Sequence, residues 1–333
     1  MKWFFILIAG LIILYRDSFL SRFFQDDFLL LKLSQQNNFF APIANFPYRP
    51  VSIQIFYSIG RFLSGDNPAG FHLLSFLFLL GALFFIFKIS KSKLATLFYA
   101  FNISLFPLFF WVATSYFVLA AYFTFGTIYF FLQKKPWSIF FFVLGLLSNE
   151  LVLVLPALIL LVDYRSWKRL APFIAVETLY LFFRLQLGFP TASDYQLILS
   201  PTKFLATFRW YLLRIFNLPE GVRTGVSPII YILFFLLVII FVFVLLKSKL
   251  SWRLPAFAIT WFFIGALPFF FLPNHMSSYY LTLSLFGPAV LVGKLFSKNK
   301  KLGVVFFIGY LVLAVFGLDY LSKTHWIILK PTL

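Results

Sequence analysis

Two adjacent aspartates, Asp26 and Asp27, follow the first apolar segment of a chain that has ten acidic residues among 333. A carboxylate at the end of an apolar segment stays charged at low cost and can act as a general base toward a hydroxyl group. The pair can also cap a helix that begins at Phe28, because negative charge stabilises a helix N-terminus. These two roles are compatible. The sequence leaves open whether the pair holds a divalent cation such as Mg²⁺ or Mn²⁺.

Two further charged residues are candidates for substrate binding. Arg49 follows Tyr48 between the prolines of segment 47–50, where a restricted backbone would hold its guanidinium in a fixed position for a phosphate. An isolated arginine at a lipid surface more commonly extends toward the headgroups. Glu150 lies between two apolar runs, so it must face protein or a cavity, in either a structural hydrogen bond or a site.

Other candidates lie nearer the C-terminus. His275 and Tyr279 lie where an apolar segment ends, which indicates either a substrate contact or an aromatic belt. Arg209 and Arg214 lie on a helix predicted over residues 202–217, where they would bind an anionic headgroup or anchor the helix to the membrane. The chain has no Cys and three His, which excludes thiolate metal sites and argues against zinc. It contains no Gly-rich phosphate loop, so no nucleotide site is predicted.

The composition indicates that membrane-spanning helices position these residues. Hydrophobic residues make up 62% of the chain and charged residues 11%, against about 25% charged residues in soluble domains. Apolar runs recur from end to end, which predicts an all-α polytopic protein with one integral membrane domain over residues 1–333. The net charge of +18 does not indicate nucleic acid, because the Lys and Arg residues cluster in short gaps between apolar runs, as in cytoplasmic loops.

Placing every basic cluster in the cytoplasm predicts about eleven spans, with the N-terminus inside and the C-terminus outside. The spans are predicted near residues 3–22, 71–87, 94–111, 115–132, 138–149, 151–163, 170–185, 226–246, 254–272, 279–294 and 303–318. Residues 138–163 are predicted as two short helices that meet near Glu150, because basic residues flank both ends. Two long outer loops, 23–70 and 186–225, are predicted to carry interfacial helices. Abundant Phe and Lys without Cys are typical of an AT-rich prokaryote, hence of its cytoplasmic (plasma) membrane.

The order of these motifs resembles that of the C-type membrane glycosyltransferases (GT-C). An acidic pair after the first span precedes a Tyr-Arg-Pro element and then GDNPAGFHLLSFLF. The segment LLSNELVLVLPALILLVDY resembles the Ser-Lys-Glu hairpin motif of that group, with Asn149 where Lys is usual. The segment FLPNHMSSYYLTLSLFG resembles its Arg-Tyr-Leu-Tyr segment, with Ser278 where Arg is usual. Over roughly residues 20–290, the pattern is similar to the membrane half of O-mannosyltransferases that carry tetratricopeptide repeats.

This resemblance implies an inverting transfer of a sugar, a hexose such as mannose, on the outer membrane face. The donor would be a polyprenyl- or dolichyl-phosphate sugar in the bilayer, and the acceptor a hydroxyl group of a protein, glycan or lipid. By position, Asp26 is expected to be the base with Asp27 beside it, and Arg49 and Glu150 fall within matching motifs. The departures at Asn149 and Ser278 remove two expected cations, which either arginine of the 202–217 helix would replace.

Two interpretations from other functional classes stay open. A transporter or flippase of lipid-linked sugars would place polar groups within the bilayer, as Glu150 suggests, but the sequence has no internal repeat. A non-catalytic assembly subunit would tolerate the departures at Asn149 and Ser278. Within the transferases, a glycan polymerase or ligase would also have a large outer loop, but it would not need the early acidic pair.

Overall fold

The computed structural model describes residues 2–35, 47–187, 195–221 and 227–329, and every regular element in these ranges is a helix. The α-helices are α1 (Lys2–Tyr15), α2 (Asp26–Leu33), α3 (Phe56–Ser64), α4 (Pro68–Ser90), α5 (Lys93–Ala100), α6 (Pro107–Phe110), α7 (Ser115–Leu132), α8 (Trp137–Leu146), α9 (Leu155–Val162), α10 (Ala171–Gln186), α11 (Pro201–Arg214), α12 (Pro228–Lys247), α13 (Arg253–Phe270), α14 (Phe286–Leu295), α15 (Lys300–Thr324) and α16 (Trp326–Leu329).

Shorter helical turns join or extend these helices. They are the 3₁₀ turns Arg16–Leu20, Ile103–Leu105, Val112–Thr114, Glu150–Val154, Tyr164–Leu170 and Ser278–Leu281, and a π-helical turn, Val51–Ile55. The long helix α4 illustrates how the sequence sets a boundary. The Asn67 side chain accepts a hydrogen bond from the Ala69 N–H, and Pro68 occupies the first helical position, where its missing N–H costs nothing.

Six helical segments in the described ranges are long and apolar enough to cross a membrane. They are Lys2–Leu20, Pro68–Ser90, Val112–Leu132, Pro228–Lys247, Arg253–Phe270 and Lys300–Thr324. A bent pair, Lys93–Ala100 with Ile103–Phe110, raises the number to seven if it forms one span. The protein is therefore all-helical with the composition of a multi-pass membrane protein. The predicted count of eleven is not confirmed, because helices such as α8 and α14, with ten residues each, are about half the length that a bilayer requires.

The bend between α5 and α6 is 51° and is stabilised by buried amide side chains. Asn102 Nδ2 donates to the Ile215 carbonyl (2.9 Å) and to the Tyr310 hydroxyl (2.8 Å). Asn217 Oδ1 accepts from the Ile103 N–H (2.9 Å). Backbone groups freed by the break thus find partners on the segment after α11 and on α15, which allows a helix to break in the interior.

The predicted break between two short helices near Glu150 is observed. Asn149 is extended (φ −164°, ψ 139°), and its side chain accepts from the Leu151 N–H (2.8 Å) to start the 3₁₀ turn. Arg169, which follows α9, donates to the Phe131 carbonyl (2.7 Å), and Phe131 lies shortly before the start of α8. Both basic flanks of residues 138–163 therefore lie at the same end of the molecule, as predicted.

The basic clusters of the sequence meet at this one end. Beyond the Arg169 contact, Arg165 and, more weakly, Arg253 lower the pKa of the exposed Tyr164 phenol, so the α9–α10 and α12–α13 connections are neighbours. The connections after α12 and after α14 line a common cavity. Gly293 of α14 packs against Ser92, in the lysine-rich connection between α4 and α5. We call this surface the basic end.

The predicted outer loops lie partly outside the described residues, which omit 36–46, 188–194 and 222–226. The helix predicted within the first outer loop is observed as the π turn followed by α3, and the helix predicted over 202–217 is observed as α11.

Candidate functional site

Asp27 is fully buried and acts as a structural clamp. Its Oδ1 accepts from the Ala113 N–H (2.6 Å), and its Oδ2 accepts from the Phe24 N–H (3.0 Å). These bonds join the start of α2 to the turn that precedes α7. Burial raises the pKa of Asp27 to about 7, although the two N–H donors oppose this rise by stabilising the charged form. With both oxygens engaged, Asp27 positions its neighbour rather than contacting a substrate.

Asp26 remains exposed at the surface beside this clamp. It is the first residue of α2, and the residue before it, Gln25, has a positive φ of 49°. Such a conformation is costly for a residue with a side chain and persists only where the surroundings impose it. Burial by surrounding protein raises the pKa of Asp26 above its ordinary value, and the nearby His275 offsets part of the rise. The carboxylate is thus accessible and has increased basicity.

Arg49 and Glu150, which are 101 residues apart in sequence, form a close ion pair. Arg49 Nε and Nη2 lie 2.7 Å and 2.6 Å from Glu150 Oε2. The other carboxylate oxygen, Oε1, accepts from Arg184 Nε at 3.2 Å. The guanidinium of Arg49 also lies over the Tyr116 ring, 4.7 Å from its centroid. A cation held on one side by a carboxylate and on another by an aromatic face has little freedom to move.

The backbone around Arg49 is fixed by the helical hairpin that carries Glu150. The Val51 N–H donates to the Leu147 carbonyl (3.1 Å), and the Ser52 hydroxyl donates to the Ser148 carbonyl (2.8 Å). The middle of the first predicted outer loop is therefore attached to the apex of the α8–α9 hairpin. This attachment brings the Tyr-Arg-Pro element and the Ser-Asn-Glu element into one site.

Tyr57 connects the carboxylate pair to the arginine. Its buried phenol has a pKa well above the usual value, chiefly through burial, and the charges of Asp27 and Asp26 and the phenol of Tyr116 add to the shift. Tyr116 is the residue beneath Arg49. Charge interactions thus link the two aspartates through the buried Tyr57 to Tyr116, which lies beneath Arg49.

An apolar groove of about 660 Å³ runs between α8 and α10 and ends at this site. Its walls include Val143, Leu146, Leu179 and Phe183, and its polar end includes Tyr48 and Arg184. Through Arg184 the groove meets Glu150, which holds Arg49. The sequence places Tyr48 beside the candidate Arg49, but Arg184 was not among the predicted candidates. The signal in the sequence that could have identified Arg184 is its position as a single arginine near the end of an apolar helix.

The other predicted site residues are distributed differently. His275 Nδ1 is hydrogen-bonded to the Tyr280 hydroxyl (2.7 Å), and its ring stacks on Tyr195 at 4.4 Å, on the same side of the molecule as Asp26. Tyr279 is 4% exposed and packs against Phe117 (4.7 Å between ring centroids). It therefore lies in the core beneath the site and presents little surface to a substrate.

Arg209 and Arg214, both predicted to bind an anionic headgroup or to anchor their helix, lie in different environments. Arg209 is exposed. Arg214 is buried, with its guanidinium 3.4 Å from the Trp210 ring centroid and donating to the Trp210 carbonyl. The structure does not bring either of them to the Arg49–Glu150 pair.

The two departures from the family pattern have local structural roles. Asn149 caps the turn that begins at Glu150. The Ser278 N–H donates to Glu220 Oε2 (2.9 Å), while Oε1 of this buried carboxylate lies 3.6 Å from His325 Nε2. An acidic group therefore occupies the neighbourhood of Ser278, and sequence reasoning did not find it because its partners come from distant parts of the chain.

Within the described ranges, no three metal-ligating side chains come together. The chain matches no protein family, no curated protein and no solved structure. Function must therefore be argued from the arrangement of Asp26, Arg49, Glu150 and the adjoining groove.

Proposed function

We propose that this protein is an inverting glycosyltransferase that moves a sugar from a polyprenyl-phosphate donor to a hydroxyl acceptor. The observation that carries the proposal is that an apolar groove ends beside the ion pair that immobilises Arg49, while the exposed Asp26 is close enough to act electrostatically on Tyr116 beneath that arginine. The groove suits a prenyl chain, Arg49 suits a phosphate, and Asp26 suits an acceptor hydroxyl. Transfer of a sugar from a lipid-linked donor to a hydroxyl acceptor needs all three features within one open site.

In this proposal, the acceptor oxygen attacks the anomeric carbon as Asp26 takes its proton. The bond between the anomeric carbon and the phosphate oxygen breaks, and polyprenyl phosphate leaves with the electron pair. Arg49 stabilises the negative charge that grows on this phosphate, and no general acid is required because phosphate is already a good leaving group. Asp27 holds α2 so that Asp26 faces the acceptor, and Glu150 holds Arg49 in place.

A lipid-linked-sugar transporter is the second candidate, favoured by the broken helix pair α5–α6. The polar groups at that break, Asn102 and Asn217, are hydrogen-bonded to backbone carbonyls and to Tyr310. A joint bonded in this way suits a structural role better than a transport site. The transferase is therefore the better supported candidate.

Asp26→Asn tests the proposed base. In membranes supplied with a polyprenyl-phosphate sugar, we expect the rate of sugar transfer to fall at least about 100-fold, the usual range for removing a general base. The variant should fold normally, because Asp26 is exposed. Release of polyprenyl phosphate and labelling of the acceptor are measured together.

Asp319→Asn is the matched control, since Asp319 is also an exposed carboxylate, paired with Lys323. It should retain the wild-type rate. A transporter or an assembly subunit would release no polyprenyl phosphate with either variant or with the wild type. Undiminished transfer by Asp26→Asn would disprove the assignment of the base.

A further inference from the structure

A second cavity lies at the basic end, far from the candidate active site in the fold. It has a volume of about 350 Å³ and opens between the end of α12, the end of α14 and the start of α15. This volume is within the range of small-ligand sites. Its apolar lining consists of Phe243, Val244, Leu250, Leu295 and Leu302.

The polar lining consists of three lysines, Lys247, Lys249 and Lys298, together with Ser248 and Asn299. All three side chains are exposed, and Lys247 Nζ lies 4.4 Å from the centroid of the Phe243 ring. The sequence from residue 221 to residue 318 contains no Asp or Glu. The ends of the helices that build this cavity therefore supply no carboxylate to balance its positive charge.

We propose that this cavity binds one anionic phospholipid, with the phosphate at the three lysines and the first carbons of an acyl chain against the apolar wall. The lining of the cavity indicates the class of ligand. The lysines at the end of the spanning helices match the headgroup of an anionic lipid, and the apolar residues match the acyl chain below it. A soluble polyanion would leave the apolar wall exposed to water. A neutral lipid would leave the lysines without a counter-charge.

Native mass spectrometry of the full-length, delipidated protein tests the proposal. Phosphatidylglycerol and phosphatidylcholine are added separately at matched concentrations. We expect one phosphatidylglycerol to be retained about tenfold or more strongly than phosphatidylcholine, because each lysine at such a surface strengthens anionic binding severalfold. The triple variant Lys247→Gln, Lys249→Gln and Lys298→Gln should lose this preference.

The matched control carries the same charge change at three exposed lysines of the basic end that do not line the cavity, Lys134→Gln, Lys135→Gln and Lys168→Gln. It should keep the preference. An equal loss in both triple variants would mean that the charge of the whole surface, and not the cavity, binds the lipid, and would overturn the proposal.

A second variant, Leu250→Trp, fills the apolar part of the cavity and leaves the three lysines in place. It should also release the phosphatidylglycerol, and it tests the proposal independently if the triple lysine variant fails to fold. Undiminished retention by Leu250→Trp would place the lipid elsewhere. Displacement by millimolar inorganic phosphate alone would identify a free-phosphate site and would equally overturn the proposal.

Discussion

At the scale of single residues, two neighbouring aspartates have different environments because adjacent residues of a helix point about 100° apart. Asp27 points inward and accepts two backbone N–H bonds, while Asp26 remains exposed. The difference gives Asp27 a structural role and leaves Asp26 available as the base of the proposed transfer. Because the two aspartates are adjacent in sequence, the buried Asp27 determines the position of the exposed Asp26.

The raised pKa of Asp27 makes the stability of the protein depend on pH. Its folded-state pKa is about 7, whereas an aspartate in the unfolded chain has a pKa of about 3.9. Between these values the folded state binds the extra proton, so the free energy of unfolding should decrease as pH rises from about 4 to about 7 and then level off. Asp27→Asn cannot titrate and should lack this decrease.

The measurement is the melting temperature of the purified protein in detergent across that pH range, for the wild type and for Asp27→Asn. Groups common to both proteins cancel in the difference. The difference in melting temperature between the wild type and Asp27→Asn should change steadily as the pH rises to about 7. A constant gap would contradict the prediction, because it would mean that Asp27 carries the same charge throughout.

At the scale of elements, the site is assembled by attaching one connection to the apex of a hairpin. The π turn at Val51–Ile55 meets the end of α8 through backbone bonds, and this places Arg49 against Glu150. Arg184 reaches the same carboxylate from α10. Three elements that are distant in sequence thus share one ionic cluster.

Arg49→Lys tests how much this cluster contributes to stability. A lysine cannot present two N–H groups to Glu150 and stack on Tyr116 together. We expect the free energy of unfolding to fall by about 1–3 kcal/mol, the usual value of hydrogen bonds to charged groups. Arg209→Lys, at an exposed position of α11, is the matched control and should change stability little. Equal effects of the two substitutions would argue against a structural role of the cluster.

At the scale of the whole molecule, the basic end and the candidate active site lie at opposite ends of the long helices. The helix α15 has 25 residues and extends about 37 Å at 1.5 Å per residue. It begins in the basic end and finishes beside Asp319. The lysine clusters, which cannot easily cross a bilayer, are thereby gathered at one end, and the candidate catalytic carboxylate lies at the other.

Cysteine labelling tests this arrangement, because the chain has no native cysteine. We expect Asp66→Cys and Asp319→Cys to react with a membrane-impermeant maleimide in intact cells. Lys135→Cys and Lys298→Cys should react after the membrane is permeabilised. Labelling of both ends from the same side would contradict a spanning arrangement, and reversed labelling would place the candidate active site in the cytoplasm.

Part of this architecture follows from local sequence. Apolar runs, basic clusters and the extended break before Glu150 are properties of short segments, so all-helical structure, the gathering of basic clusters and the hairpin could be predicted. The number of spans could not, because hydropathy reports that a segment is apolar and does not report where a helix such as α8 or α14 stops.

The sequence by itself determined that this protein is helical and apolar, and it identified Asp26, Asp27, Arg49 and Glu150 as candidates. Only the tertiary structure decided their roles. At the candidate site, hydrogen bonds and ion pairs join residues up to 101 positions apart, and no local pattern encodes which side of a turn faces the interior. The partners Ala113 for Asp27 and Glu150 for Arg49 exist because packing of the whole chain brings them together.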